Sequence, residues 1–231
     1  MDKVTFFDGN VQLYHADSYD MDLAALGATT MVIDPPYEFD ASGGGQYRKA
    51  RPGLDNLIKA GLTDGFDLAI LSWKYAKSIV CFAHNNQVEK IMARLRQGFH
   101  RVVLCAWHKT NPQPVANKHY VPDTEFFIHA WQKGFHPLGT IKDKARFIVS
   151  PATRSKLVHQ DGTKHPSVKP DAVMNKIITN VRGPILDAFM GTGSTGVAAI
   201  RQGQKFIGIE NNQVFFEMAC DRFSDLERLG V

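Results

Sequence analysis

Cysteine is scarce: Cys81, Cys105 and Cys220 are the only three in 231 residues. An odd and scattered set does not build a disulfide framework and points to a reducing, cytoplasmic compartment. No two of them have the spacing of zinc ligands, so no metal site is expected. Long apolar runs are also missing, which excludes a transmembrane helix and argues against a membrane partner. The first residues, Met1-Asp2-Lys3-Val4, lack the basic and then apolar stretches of a signal peptide. No segment repeats. Neither sign of charge dominates. The formal net charge is +4, with 22% charged and 44% hydrophobic residues, ordinary globular usage that excludes a mostly disordered chain. The length allows one α/β domain with an insertion, or two small domains.

The charge is unevenly spread. Residues 1–132 carry a net −1, residues 133–182 a net +7 and residues 183–231 a net −2. The positive excess therefore lies in one stretch that holds Lys133, Lys142, Lys144, Arg146, Arg154, Lys156, Lys164, Lys169, Lys176 and Arg182. Such a patch is the footprint of a phosphate-backbone binder, provided a chemical site lies beside it. Charge alone favours the plainer reading of a solubilising surface.

Short apolar runs rich in branched side chains predict strands at 11–15, 30–34, 78–83, 101–107, 125–131, 184–189 and 205–210. Helical spacing predicts helices over 87–97, 171–181, 195–202 and 214–229. Strands alternating with helices imply a layered α/β sheet. Residues 38–66, with Gly43-Gly44-Gly45 at their centre, and the basic, Pro- and Gly-bearing residues 132–166 lack periodicity and read as loops or an insertion. Trp73, Trp107 and Trp131 are expected in the core.

Near the C-terminus, Ile185-Leu186-Asp187-Ala188-Phe189 leads into Gly191-Thr192-Gly193-Ser194-Thr195-Gly196 and then a helix. This is G-x-G-x-x-G between a strand and a helix, followed 19 residues after Gly191 by Glu210. Glycines let the backbone approach a nucleoside cofactor, and the acid accepts from ribose hydroxyls. Only 21 residues follow Glu210, too few for the second half of a dinucleotide fold. The sheet must be completed by the N-terminal part of the chain, as in a circularly reordered fold. Earlier, the buried-looking strand Met31-Val32-Ile33 runs into Asp34-Pro35-Pro36-Tyr37. Two prolines fix two φ angles and remove two N–H donors, making a rigid hook with a carboxylate at one end and a ring at the other. A planar amine held there donates to the Asp34 carboxylate and the Pro35 carbonyl, with Tyr37 stacking on its ring. The plain alternative is a turn with a capping Asp.

Asp34-Pro35-Pro36-Tyr37, then His165-Pro-Ser167-Val-Lys169-Pro170, then Asp187 through Gly196, in that order, resemble the β-class of S-adenosylmethionine-dependent DNA amino-methyltransferases. The match extends to Tyr14-His15-Ala16-Asp17, Trp107-His-Lys109-Thr-Asn111-Pro112 and Thr124-Glu125-Phe126. The resemblance implies one Rossmann-like methyltransferase domain over 1–231. Its mostly parallel central sheet has helices on both faces and a circularly permuted motif order. A small basic target-recognition insertion at 133–165 and a loop at 38–66 complete it. The implied activity is methyl transfer to N6 of adenine in double-stranded DNA by base flipping, with Asp34, Pro35, Pro36 and Tyr37 as the catalytic hook. The implied cofactor is S-adenosylmethionine, held by Asp17, Asp34, Ser167, Lys169, Asp187, Phe189, Gly191, Thr192, Gly193, Ser194, Glu210 and Asn211. Lys169 is otherwise a surface lysine. DNA phosphates are assigned to Arg48, Lys49, Arg51, Lys142, Lys144, Arg146, Arg154 and Lys156, with His108, His119 and His136 as lesser candidates. A homodimer and a cognate restriction endonuclease are open as further partners. Cytosine N4 is the alternative target. RNA or protein N-methylation, or a non-catalytic nucleic-acid-binding module, are the more distant ones.

Overall fold

Branched and aromatic residues define the strands, and the way each strand is covered decides how it was legible. In this computed structural model, residues 2–38, 65–112, 120–153, 159, 162 and 168–230 are described. The strands are β1 (Asp2–Phe6), β2 (Val11–His15), β3 (Thr30–Ile33), β4 (Ser78–Ala83), β5 (Arg101–Lys109), β6 (Thr124–Trp131), β7 (Phe147–Ser150), β8 (Ile185–Asp187) and β9 (Phe206–Glu210). The helices are α1 (Val88–Arg96), α2 (Asp171–Thr179), α3 (Ser194–Arg201) and α4 (Gln213–Arg228).

The strands form one sheet in the order β1-β2-β9-β8-β3-β4-β6-β5-β7. Five consecutive strands, β2, β9, β8, β3 and β4, are parallel to one another. These strands are apolar on both faces, as covering on both sides demands. Alternate residues feed two cores. Val32, Val80 and Phe82 pack with α2, α3 and α4 on one face. Met31, Ile33, Ile79 and Cys81 pack with Ile91 and Leu95 of α1 on the other. Ile91 and Leu95 lie one turn apart and are fully buried, each contributing about 1.5–3 kcal/mol by leaving water.

β1 and β7 are additions to the expected set. Both are short edge strands with exposed residues alternating in, so neither has the apolar run that marks a central strand. β7 lies inside the basic stretch and pairs in parallel with β5. Trp73 departs from expectation: it is 44% exposed, with Lys77 Nζ 5.0 Å from its ring centroid. Among the described residues, no helix is long and apolar enough to cross a membrane.

The topology places the site. β3 and β8 are parallel neighbours at the centre of the sheet. From β3 the chain proceeds to β4 on one side, and from β8 to β9 on the other. Open α/β sheets bind ligands at such a switch point, beyond the strands' C-terminal ends. Asp34 follows β3 and the glycine loop follows β8, so the two motifs flank one crevice.

Candidate active site

A cleft of about 710 Å³ opens at this crevice, within the range of small-molecule sites. Its lining includes Asp17, Asp34 through Tyr37, Glu125, Lys169, Asp187, Phe189, Gly191, Thr192, Ser194, Glu210 and Asn211. The structure thus brings together most of the residues singled out in the sequence. Ser167, Arg48, Lys49, Arg51, Arg154, Lys156 and His119 lie outside the described residues.

One side of the cleft is built by the glycine loop. Asp187 is 2% exposed. Its oxygens accept from the Thr195 hydroxyl at 2.6 Å and the Phe189 amide at 3.1 Å, binding the loop to the end of β8. Burial pushes its carboxyl up to about 7. Gly193 caps α3 with φ +79, a left-handed conformation suited to glycine. Gly196 brings α3 against β9: a Cβ there would lie 2.4 Å from the Phe206 ring. Glu210 accepts from the Gly191 amide at 2.8 Å and the Asn212 amide at 2.9 Å, and burial raises its pKa. With the Asn211 amide also bonded to it, the carboxylate keeps one lone pair for a ligand hydroxyl. Asp17 accepts from the Tyr19 amide at 3.0 Å. The rings of Tyr19 and Phe66 meet Phe189 edge-on, with centroids 6.2 and 6.0 Å away, and make an aromatic wall. Arg222 reaches from α4 to the Thr192 carbonyl at 3.2 Å and the Ser194 hydroxyl at 3.3 Å. Nothing in its local sequence marked this role.

The other side is the hook. Gln87, fully buried before α1, donates to the Pro36 carbonyl at 3.3 Å and accepts from the His84 amide at 3.3 Å. It fixes the proline pair from a second element. The Asp34 side chain stays 28% exposed to the cleft. Its Oδ2 meets Lys169 Nζ at 2.5 Å. Lys169, 6% exposed, also contacts Glu125 Oε1 at 2.9 Å and donates to the Tyr37 hydroxyl at 3.2 Å. Lys169 is therefore a buried partner of the Asp34 carboxylate rather than a surface lysine. The Tyr37 hydroxyl is 2.9 Å from Asp34 Oδ1 and 2.8 Å from Glu125 Oε1. Lys109 closes the cluster at 2.8 Å from Glu125 Oε2.

The electrostatics separate the two carboxylates. Burial raises Asp34 despite Lys169. Burial also opposes ionisation of Glu125, but Lys169 and Lys109 outweigh it and bring Glu125 down to about 2. Burial disfavours the Lys169 cation too, yet Asp34 and Glu125 hold it above its usual value. Glu125 is a firmly ionised counter-charge, and Asp34 is the more basic carboxylate facing the cleft.

The described residues expected at DNA phosphate lie elsewhere. Lys142, Lys144 and Arg146 are exposed. Lys144 and Arg146 line a second cavity, of about 210 Å³, that shares no lining residue with the cleft. His108 is 3.9 Å from Asp123.

Comparison with known proteins agrees with this geometry. The N6/N4 DNA methylase family model matches residues 28–221. The chain is 27% identical to Type II methyltransferase M2.LlaDCHI of Lactococcus lactis subsp. cremoris, across 100% of this chain and 96% of that protein. It is 31% identical to Type II methyltransferase M2.DpnII of Streptococcus pneumoniae over 144 residues, 57% of this chain and 54% of that one. Among solved structures, an M1.HpyAVI–SAM complex is 26% identical, with 92% of this chain and 98% of that chain covered and a TM-score of 0.67. The cytosine-N4-specific PvuII DNA methyltransferase is 16% identical, covers 95% of this chain and 92% of its own, and has a TM-score of 0.63, a likeness of fold. With the motif order, the crevice and the family match in agreement, the chain belongs to the N6/N4 DNA methylase family.

Proposed function

We propose that the protein transfers a methyl group from S-adenosylmethionine to the exocyclic N6 amine of adenine in double-stranded DNA. One observation carries this reading: the Asp34 hook and the glycine loop leave adjacent parallel strands and line the same cleft. The glycine-loop side fits the cofactor. Phe189, Tyr19 and Phe66 offer aromatic surface, Asp17 an acceptor for an adenine amino group, and Glu210 an acceptor for ribose hydroxyls. The related M1.HpyAVI is described as a SAM complex. S-adenosylmethionine supplies a methyl group on a positively charged sulfur, already activated for transfer.

The chain's own task is to prepare the amine. Adenine's amino lone pair is conjugated into the ring and is a poor nucleophile. Asp34 and the Pro35 carbonyl accept hydrogen bonds from the two amino hydrogens, favour a tetrahedral nitrogen and turn its lone pair toward the cofactor side of the cleft. Once the nitrogen has gained the methyl group it loses one of these protons, by way of Asp34 to solvent, and keeps the other. Tyr37 and the rigid Pro35-Pro36 backbone fix the base. The rate comes from positioning and preorganised charge. No covalent bond between enzyme and base is required, so Cys81, Cys105 and Cys220 have no part. A base inside a duplex does not reach the hook, so it is flipped out.

Asp34 at the head of the hook favours adenine by resemblance, where cytosine-N4 enzymes more usually carry Ser. Arg48, Lys49, Arg51, Arg154 and Lys156 are assigned to DNA phosphate, and Lys142, Lys144 and Arg146 to a part of the duplex away from the cleft. A second subunit and a cognate restriction endonuclease complete the proposal. Two relatives bear the name type II methyltransferase.

The test is nucleoside mass spectrometry of unmethylated plasmid incubated with the protein and isotope-labelled S-adenosylmethionine. Labelled N6-methyladenosine is expected. Labelled N4-methylcytosine alone would overturn the adenine assignment. No label in DNA, with cofactor bound, would overturn the DNA reading and move the search to RNA or protein.

A further inference from the structure

Both oxygens of Asp34 are engaged: Oδ1 by the Tyr37 hydroxyl and Oδ2 by Lys169. These are the oxygens the target amine needs. A cation on Oδ2 weakens it as an acceptor, because the charge-assisted bond takes the electron density the amine would use. Lys169 and Tyr37 each have a second carboxylate within reach, and for both it is the same atom, Glu125 Oε1, at 2.9 and 2.8 Å. The single Tyr37 proton serves one carboxylate at a time.

We propose that Glu125 is a positioning residue that draws the Lys169 ammonium and the Tyr37 hydroxyl off Asp34 as the target amine arrives, so that Asp34 meets the base as an unshared acceptor. This rests on the reading of Asp34 as the amine-binding carboxylate. Three features support it. Glu125 is the second residue of β6, and its side chain is only 11% exposed in the wall of the cleft. Lys109 holds its other oxygen at 2.8 Å and fixes it in place. Lys169 remains paired with Glu125 throughout, and the carboxylate that gives up its cation, Asp34, is the more exposed of the two, at 28% against 11%.

Without the Glu125 charge, Lys169 has Asp34 as its one anionic partner among the contacts described. The Glu125→Gln protein should bind S-adenosylmethionine within about twofold of wild type, while single-turnover methylation falls by about tenfold or more, a loss of the size that misplaced reacting groups produce. The groups that sense this change are Asp34, Tyr37, Lys169 and Lys109, with His84 beside Glu125 and Cys81 and Asp187 beside Asp34. Glu125 raises Asp34 and Lys169 lowers it, so the acid limb of the single-turnover rate should move to lower pH in Glu125→Gln.

The decisive variant is the double substitution Glu125→Gln with Lys169→Met. If Lys169 held on Asp34 is what slows Glu125→Gln, removing the ammonium should restore at least about a third of the lost rate on a logarithmic scale. A merely structural Glu125 gives a double variant no faster than Glu125→Gln and an unmoved acid limb, and either result overturns the inference. A wild type that transfers no methyl to DNA would instead overturn the functional reading beneath it. Circular dichroism and cofactor titration on each variant establish that the folded protein is compared.

Discussion

The Gly191 amide donates to the Glu210 carboxylate at 2.8 Å, tying the cofactor loop after β8 to the end of β9. The acid thus shapes the loop as well as offering a lone pair to a ligand. Glu210→Ala removes both and should weaken S-adenosylmethionine binding by about 10- to 150-fold, the loss of one hydrogen bond to a charged acceptor. Isothermal titration without DNA measures it. An affinity equal to wild type would show that Glu210 does not touch the cofactor.

The packing at Gly196 makes a stability prediction. A Cβ there would meet Phe206 at 2.4 Å and Phe223 at 2.6 Å. Gly196→Ala should cost about 1–3 kcal/mol through overpacking, read as a lower Tm in calorimetry. An unchanged Tm would mean that α3 does not sit this close to β9.

Asp187 makes a pH prediction. Burial lifts its carboxyl from an ordinary 3.8 to about 7 in the folded chain. Between these values the folded state holds a proton that the unfolded state has lost, so stability falls as pH rises from about 4 to 7. The penalty reaches about 4 kcal/mol at most. Asp187→Asn keeps partners for Thr195 and Phe189 without titrating. Denaturant melts should show wild type losing stability relative to Asp187→Asn across this window, and parallel curves would contradict it.

Gln87 makes a kinetic prediction. It is fully buried and joins the Pro36 carbonyl to the His84 amide. Gln87→Ala should loosen the hook and lower the single-turnover rate by about tenfold or more, with cofactor affinity unchanged. A normal rate would mean that the prolines hold the hook unaided.

The legible parts of the molecule were those whose signal is local. The apolar run into Asp34 and the glycines after β8 each carry their chemistry within a few neighbouring residues, and the central strands carry unbroken apolar runs because both faces are covered. β1 and β7 escaped because each is a short edge strand, β1 with no buried residue and β7 with exposed and buried residues alternating over only four positions. The Lys169–Glu125–Tyr37 cluster was hidden for a different reason. Glu125 lies 88 residues from Tyr37, and only the β4–β6 pairing brings its strand beside the hook. Each member stood in a motif of its own, Tyr37 in the hook, Glu125 in Thr124-Glu125-Phe126 and Lys169 before Pro170, but nothing local showed that the three meet. Gln87 and Arg222 left no comparable trace, since each acts on backbone atoms of a distant loop. Lys144 and Arg146 followed the expected charge pattern but line a separate cavity, because β7 lies at the sheet's edge, beyond β5.

The most direct test of the account is Asp34→Ala, measured two ways on the same preparation. Asp34 faces the cleft at the end of β3, while the glycine loop, Asp17 and Glu210 are untouched by the change. S-adenosylmethionine affinity should stay within about threefold of wild type, and single-turnover methylation of DNA should fall by at least about a hundredfold, as when a preorganised charge is removed from a reacting centre. Retained wild-type turnover in Asp34→Ala would contradict the central claim that this carboxylate prepares the target amine.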